Sequence, residues 1–282
     1  VPEGDTIHRA AAALRAALLG KPLTAFEAPR LVGPKPAPGV VIEEVRSRGK
    51  HLDICFDDGL VLHTHMRMTG SWHLYRPGEQ WRRSHHQARV VLEVPGFLAV
   101  CFSAPVVEVF RAADPRRHAA FGTLGPDLSR PDADLAACVD RMAHFCLGST
   151  SIAEALLDQR VACGVGNVYK AEVLWACGLD PFTPVEAVPV LLRHRLLATA
   201  SRMLQANLTH PARITLDVPG GLAVYGRHGA PCFRCGTPVA VRRHGELARV
   251  TYWCPGCQTR PGEAPPPRPP APAPPRRRTR PG

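Results

Sequence analysis

Asp158-Gln159-Arg160-Val161-Ala162-Cys163-Gly164-Val165-Gly166-Asn167-Val168-Tyr169-Lys170 interrupts the second half of the chain between two runs of helical periodicity. The glycines on either side of Val165 let the backbone turn tightly and let another stretch of chain approach closely. Asn167 then stands where a helix begins, and the unpaired amides and positive dipole end of a helix start suit a phosphate. By itself the stretch reads equally well as an ordinary helical hairpin with an asparagine cap. Working outward, the predicted helices are Ala133 to Phe145, Ile152 to Leu157, Val168 to Trp175 and Val190 to Leu208.

Before about residue 130 the texture is different. Asp5 or Thr6 can cap a first helix whose apolar positions Ile7, Ala11, Leu14 and Leu18 keep the helical period, with Gly20 ending it. Short β-rich runs follow at Val40 to Val45, His51 to Phe56, Leu60 to His65, Ser71 to Tyr75, Ala88 to Val94 and Leu98 to Phe102, with Asp58-Gly59 as a hairpin turn. Antiparallel strands at this spacing predict a β-sandwich with the first helix beside it and Pro2 at its mouth.

At 282 residues and 45% hydrophobic, the chain can bury a substantial core and is long enough for more than one domain. Its net charge is +11; the segment from Pro261 to Gly282, with ten prolines, five arginines and one acid, carries +4 of it. That tail cannot bury enough apolar surface to fold and is expected to be disordered. The remaining +7 makes the body basic in its own right and points to a polyanion, of which nucleic acid is the commonest. No apolar run is long enough for a membrane span and no signal pattern opens the sequence, so a cytoplasmic location is expected.

Of ten cysteines, six (55, 101, 138, 146, 163 and 177) are scattered through apolar stretches and read as small core residues. The other four form Cys232-x2-Cys235, an 18-residue spacer, and Cys254-x2-Cys257. Two residues between thiolates let both sulfurs of a knuckle reach one tetrahedral ion, so this spacing predicts one structural zinc with a closed coordination sphere. Val239 to Tyr252 reads as a hairpin within that finger, and Arg242, Arg243 and Arg249 on it offer phosphate contacts.

Pro2-Glu3-Gly4-Asp5-Thr6 places a proline and a carboxylate at the start of the chain. Val1 is consistent with a GTG start codon whose initiator residue is removed, which leaves Pro2 with a free secondary amine. Attack of that amine on a sugar C1′ gives an iminium, charged at any pH and therefore an electron sink for elimination.

Taken in order, Pro2-Glu3-Gly4, Arg48-Gly49-Lys50-His51-Leu52, His65-Met66-Arg67-Met68-Thr69-Gly70, Leu124-Gly125-Pro126-Asp127-Leu128, Gly164-Val165-Gly166-Asn167 and the four cysteines resemble the formamidopyrimidine-DNA glycosylase and endonuclease VIII family, over residues 2 to about 258. Pro-Glu-Gly at the start and Ala171-Glu172-Val173-Leu174-Trp175 after the turn are closer to the endonuclease VIII branch. The resemblance implies an α+β multi-domain protein: a β-sandwich domain with flanking helices over 2–130, a helix-two-turns-helix domain over 131–225, a zinc finger over 226–260 and the tail over 261–282. Damaged double-stranded DNA would lie in the cleft between the halves, bound by a monomer.

By the same resemblance Pro2 would be the nucleophile and Glu3 the acid/base that protonates the sugar oxygen. Lys50 would hold a phosphate and assist β-elimination, and Arg249 would assist the second elimination. Arg67 and Met68 would enter the duplex, while Asn167 and Lys170 would bind DNA. Thr6 departs from the pattern, because a glutamate usually occupies that position. Asp114-Pro115-Arg116-Arg117 is too close to Gly125 to match the orphan-base loop of formamidopyrimidine enzymes and reads as a surface loop. The activity implied is base excision coupled to strand cleavage by β,δ-elimination, mainly at oxidised pyrimidines. An 8-oxoguanine/formamidopyrimidine glycosylase and a non-catalytic damage-binding paralogue are the alternatives.

Overall fold

The computed structural model describes residues 2–114 and 122–264; the Pro115-Arg116-Arg117 loop and the tail from residue 265 lie outside the described residues. Helix α1 (Gly4–Leu18) is followed by strands β1 (Ala25–Glu27), β2 (Ile42–Arg48), β3 (His51–Phe56), β4 (Leu60–His65), β5 (Ser71–Tyr75), β6 (Ala88–Val94), β7 (Phe97–Phe102) and β8 (Val106–Arg111). They form two antiparallel four-stranded sheets, ordered β1-β6-β7-β5 and β2-β3-β4-β8. Alternation drives the packing: in β3, Leu52, Ile54 and Phe56 point into the core while His51, Asp53 and Cys55 face the other way. Ile42, Ile54 and Leu62 of one sheet meet Leu92, Ala99 and Cys101 of the other, and Ile7, Ala11, Leu14 and Leu18 of α1 join the same core. The expected sandwich is thus present, with α1 packed chiefly along β2.

Cap assignment on α1 differs from the expectation. Glu3 is the N-cap, and both Asp5 and Thr6 lie inside the first turn. Asp5 is fully buried and spends its carboxylate on arginine, as described below.

The second half is helical: α2 (Leu135–Phe145), α3 (Ile152–Ala155), α4 (Asn167–Cys177) and α5 (Val190–Ala206). Cys138, Met142, Ile152, Val165, Tyr169, Val173, Leu196 and Leu204 belong to their shared core. Helix α4 is buried on more than one side, because Ala171 and Trp175 turn away from that core and pack against Ala223, Val224, Cys232, Val239 and Cys254. The four-cysteine unit is therefore fastened to α4, with its hairpin of β9 (Ala240–His244) and β10 (Arg249–Trp253) projecting beyond. A second tie fixes the hairpin tip: Ser151 and Glu154 make a capping box at α3, and His244 Nε2 lies 2.8 Å from Ser151 Oγ. Among the described residues, no helix is long and apolar enough to cross a membrane.

Candidate active site

Glu3 joins the two halves. Its carboxylate accepts hydrogen bonds from the amides of Gly166 (2.9 Å), Val168 (2.8 Å) and Tyr169 (3.3 Å), so it caps α4 from the other end of the chain. The amides expected to receive a phosphate are thus occupied by a side chain of the protein itself. The glycines explain how this contact is reached. A Cβ on Gly166 would lie 2.4 Å from Glu3 Cδ, and one on Gly4 would lie 2.9 Å from Gly164 Cα, while the Gly4 amide donates to the Gly164 carbonyl at 2.9 Å. Gly164 also has φ +103°, a conformation that side chains rarely adopt.

Lys50 is brought to the same place by a second clamp. Gly49, at φ +56°, packs so tightly on Cys163 that a Cβ would lie 2.4 Å from the cysteine Cβ. Asp127 accepts from the Gly49 amide (2.7 Å) and from Ser129, and the Pro126 carbonyl accepts from the Cys163 amide at 2.8 Å. The Leu124–Leu128 segment therefore pins the Lys50 turn against the interhelical turn.

These clamps surround a cleft of about 700 Å³ whose lining includes Pro2, Lys50, Arg67, Met68, Asn167 and Arg249. Six of the eight residues expected to act on DNA thus share one cavity, with Glu3 buried directly behind it. Burial pushes the Glu3 carboxyl above its ordinary range, opposed by Arg213, Lys50 and the amides of Val168 and Tyr169. Lys50 is lowered to about 8, first by burial and further by Arg249, with Glu3 acting in the other direction. One group is a carboxyl made easier to protonate and the other an amine made easier to deprotonate, which suits proton transfer at neutral pH.

Lys170 is the exception. Expected to bind DNA, it is 1% exposed, and its ammonium donates to Asn167 Oδ1 (2.7 Å), the Val250 carbonyl (3.1 Å) and Thr251 Oγ1 (2.8 Å). It ties α4 to β10 and holds the Asn167 side chain; its pKa falls to about 8 through burial. On the hairpin, Arg249 is exposed at the cleft and its Nη1 lies 3.5 Å from Met68 Sδ, whereas Arg242 stacks its guanidinium over Phe182.

The cleft also holds residues that sequence reasoning did not assign. His51 and His65 face each other across β3 and β4, as do Asp53 and His63, and the three imidazoles line the cavity. Asp53 Oδ1 is 2.7 Å from His63 Nδ1, and His63 Nε2 is 3.3 Å from His51 Nδ1. Burial, aided by the neighbouring imidazoles, depresses His51 to about 3 and His65 to about 4, so both are neutral at pH 7. Strand alternation, two residues apart on each of two paired strands, was the available signal. Arg213 and Leu247 had no such signal.

The four finger cysteines have their sulfurs within 4.8 Å of one another, with Cys235 to Cys254 at 3.3 Å and Cys232 to Cys257 at 3.8 Å. A tetrahedral ion with sulfur ligands at ~2.3 Å requires sulfur separations of ~3.8 Å, and the donor set fits it. Trp175 Nε1 and the Arg234 amide donate to Cys232 Sγ, the kind of support that keeps a ligand thiolate oriented. Of the six scattered cysteines, 101, 138, 146 and 163 are buried, and 55 and 177 are partly so.

Residues 1–121 match the formamidopyrimidine-DNA glycosylase N-terminal domain, and residues 124–216 match the formamidopyrimidine-DNA glycosylase H2TH domain. The chain is 41% identical over 271 residues to a probable endonuclease 8 2 of Streptomyces coelicolor, covering 94% of this chain and 96% of that protein. It is 40% identical over 264 residues to the DNA-(apurinic or apyrimidinic site) lyase Nei2 of Mycolicibacterium smegmatis (92% and 99%), and 32% identical over 268 residues to an Escherichia coli endonuclease 8 (92% and 100%). Among solved structures, Lactococcus lactis Fpg (MutM) in complex with DNA containing an oxidized pyrimidine superposes with a TM-score of 0.78 at 22% identity, over 91% of this chain and 99% of that one. The same protein with abasic-site DNA gives 0.78, at the same identity and coverage.

Proposed function

The chain belongs to the formamidopyrimidine-DNA glycosylase family, and from that membership and the geometry of its cleft we propose that it is a bifunctional DNA glycosylase and apurinic/apyrimidinic lyase. The observation that carries the reading is that Pro2 at the start of the chain and Lys50 from the β2–β3 turn line one cavity, with Glu3 buried behind them and hydrogen-bonded to the start of α4. In a chain beginning at Pro2, the prolyl nitrogen attacks C1′ of the damaged nucleotide, the bond from C1′ to the base breaks, and the base departs with the proton that the prolyl nitrogen gives up. Glu3 gives its proton to the sugar ring oxygen as the ring opens, leaving an iminium between Pro2 and C1′. Lys50, half deprotonated near pH 8, accepts the proton lost from C2′; the C–H electrons move toward the iminium nitrogen and the 3′ phosphate leaves. Arg249 at the rim serves the second elimination by neutralising the 5′ phosphate.

Arg67 and Met68 occupy the stack when the lesion is everted, and Asn167 reads the phosphate backbone from the start of α4. One zinc held by Cys232, Cys235, Cys254 and Cys257 supports the hairpin that presents Arg249, and its role is structural. Damaged duplex DNA is the proposed partner.

For the lesion, oxidised pyrimidines are favoured. The segment between Arg213 and Tyr225 is drawn in tightly: Thr215 N donates to the Gly221 carbonyl at 2.7 Å, and buried Glu172 accepts from the amides of Ala223, Val224 and Tyr225. So short and pinned a segment leaves little chain to close over a bicyclic base. Single-turnover excision from matched duplexes should therefore be faster for thymine glycol and dihydrouracil than for 8-oxoguanine opposite cytosine, and the reverse order would move the chain to the other branch.

The decisive test of the chemistry is borohydride trapping on a single-lesion oligonucleotide. A covalent adduct should map to the N-terminal peptide, and Pro2→Gly should abolish it. Glu3→Gln should impair base excision more than cutting at a preformed abasic site. An adduct on an internal lysine alone, or damage binding without any cutting, would overturn the assignment.

A further inference from the structure

Asp5 and Arg213 form an ion pair directly beside Glu3. Arg213 Nε lies 3.0 Å from Asp5 Oδ2 and its Nη2 lies 2.5 Å from Asp5 Oδ1, a two-pronged contact. The same Nη2 donates to Thr6 Oγ1 at 3.2 Å. The remaining terminal nitrogen, Nη1, stands 4.0 Å from Glu3 Oε1. Asp5 is fully buried, the Arg213 side chain is 13% exposed, and its guanidinium lies over the Tyr169 ring at 4.8 Å. Arg9 also pairs with Asp5 at 3.3 Å and donates to the Asn207 carbonyl. This is a built arrangement in which each prong of the arginine has a partner.

We infer that Asp5 and Arg213 are positioning residues for the excision step: Asp5 anchors Arg213 so that a fixed positive charge faces Glu3 at the place where Thr6 leaves no carboxylate. The inference rests on the glycosylase reading above and adds to it two residues that do not touch the reacting sugar. Asp5 itself is an unsuitable proton acceptor, because its arginine partners hold its carboxyl below the usual range despite burial. What it supplies is orientation. Without it, an arginine arriving from the segment after α5 would be free to swing toward solvent or onto a phosphate.

The consequence for Glu3 has a sign. Burial raises its proton affinity and the Arg213 charge opposes that rise. The other groups facing Glu3 are Pro2 and Asp5 on its own segment, Lys50 from the β2–β3 turn, Tyr169 and Lys170 from α4, and Tyr225 from the segment before the finger. If protonated Glu3 is the donor in ring opening, excision declines as pH rises through its titration. Removing the arginine charge must move that alkaline limb upward, and removing the Asp5 anchor must move it the same way by a smaller amount, because the freed guanidinium leaves Glu3 while the Asp5 charge is lost with it.

The test is single-turnover base release from a thymine glycol duplex as a function of pH, for the wild-type chain, Arg213→Met, Arg213→Lys and Asp5→Asn. Folding of each variant is checked by zinc content and DNA affinity. Arg213→Met should shift the limb upward by about one pH unit, a size typical of one opposite charge at this range. Arg213→Lys should restore most of the wild-type position, and Asp5→Asn should shift the limb in the same direction as methionine but less far; a downward shift there would mean that Arg213 keeps its place without the anchor and would overturn the role given to Asp5. Lower rates with an unmoved limb, or a lysine variant indistinguishable from methionine, would overturn the inference. Should Asp5→Asn fail to fold, the methionine and lysine pair still decides it. An inactive wild-type chain would sink the glycosylase reading instead, so the two failures are distinguishable.

Discussion

At the floor of the cleft, Glu3, Gly4, Gly164 and Gly166 meet backbone to backbone, and a carboxylate is locked by three amides. At the rim, Arg67, Met68, Leu247 and Arg249 stand in solvent, and an arginine meets a thioether between the two sides. At Gly4 and Gly166 the floor leaves no space for a methyl group, whereas the rim leaves half of a methionine and three quarters of a leucine exposed. The difference follows from what the proposed function asks of each. Proton transfer and nucleophilic attack depend on tenths of an ångström, so their groups are held by fixed backbone. Displacing a base from a stack requires apolar surface that is available before DNA arrives, and exposed flexible side chains provide it.

If the floor is as rigid as its packing implies, the largest effect of any single change should come from a methyl group there. Gly166→Ala puts a Cβ 2.4 Å from Glu3 Cδ and 2.7 Å from Glu3 Oε1, so the carboxylate must move off the start of α4. Excision should fall by about 100-fold or more, the cost of a displacement of roughly an ångström at a catalytic group. Binding to an uncleavable abasic analogue should change far less, because the rim is untouched. A Gly166→Ala variant with near-normal excision would show that the floor relaxes, and the contrast with the rim would fail.

Chelation should give the next largest effect, and on the other half of the comparison. The finger core is small, and with zinc held by its four thiolates its folding energy would be largely that of the metal. Removing the ion should unfold residues 232 to 257, withdraw Arg249 and abolish stable DNA binding, while the sandwich and helical cores keep their secondary structure by circular dichroism. Active protein without bound zinc would refute this.

How much of this was legible beforehand depends on the range of each interaction. The cysteine pairs announced themselves because metal geometry is imposed on local spacing, and the strands of the sandwich because alternation is local too. The Asp53, His51, His63 and His65 ladder was readable in principle, since pairing β3 with β4 puts two alternating pairs on one face. Helix α4 was harder: packed between the helical core and the finger, it buries every residue from Val168 to Trp175, and so hides Lys170, which the family resemblance had placed on the DNA. Glu3 as the cap of α4 and Arg213 as the partner of Asp5 join positions 163 and 208 residues apart. Only the tertiary fold brings those pairs together, and a family pattern with a glutamate where this chain has Thr6 offers no pointer to the arginine.

The smallest expected effect sharpens the account of the rim. The loop carrying Met68 is anchored at both ends: Met66 is buried, the Gly70 amide donates to the Met66 carbonyl at 2.9 Å, and Thr69 Oγ1 donates to the Ser103 carbonyl at 3.1 Å. Between the anchors Arg67 adopts φ 44° and Met68 is turned outward, 49% exposed. Truncating a side chain so exposed should leave thermal stability within about 0.5 kcal/mol. In the complex, though, the thioether would fill the gap left by an everted base, and losing that apolar contact should cost about 1–2 kcal/mol, or roughly a tenfold slower excision from duplex DNA. From a single strand, where there is no intact stack to refill, Met68→Ala should excise at nearly the wild-type rate. Rates measured side by side on the same lesion in duplex and single-stranded oligonucleotides separate the two cases. An equal loss on both would mean that Met68 positions the lesion or Arg249, making the rim a part of the catalytic geometry rather than a wedge.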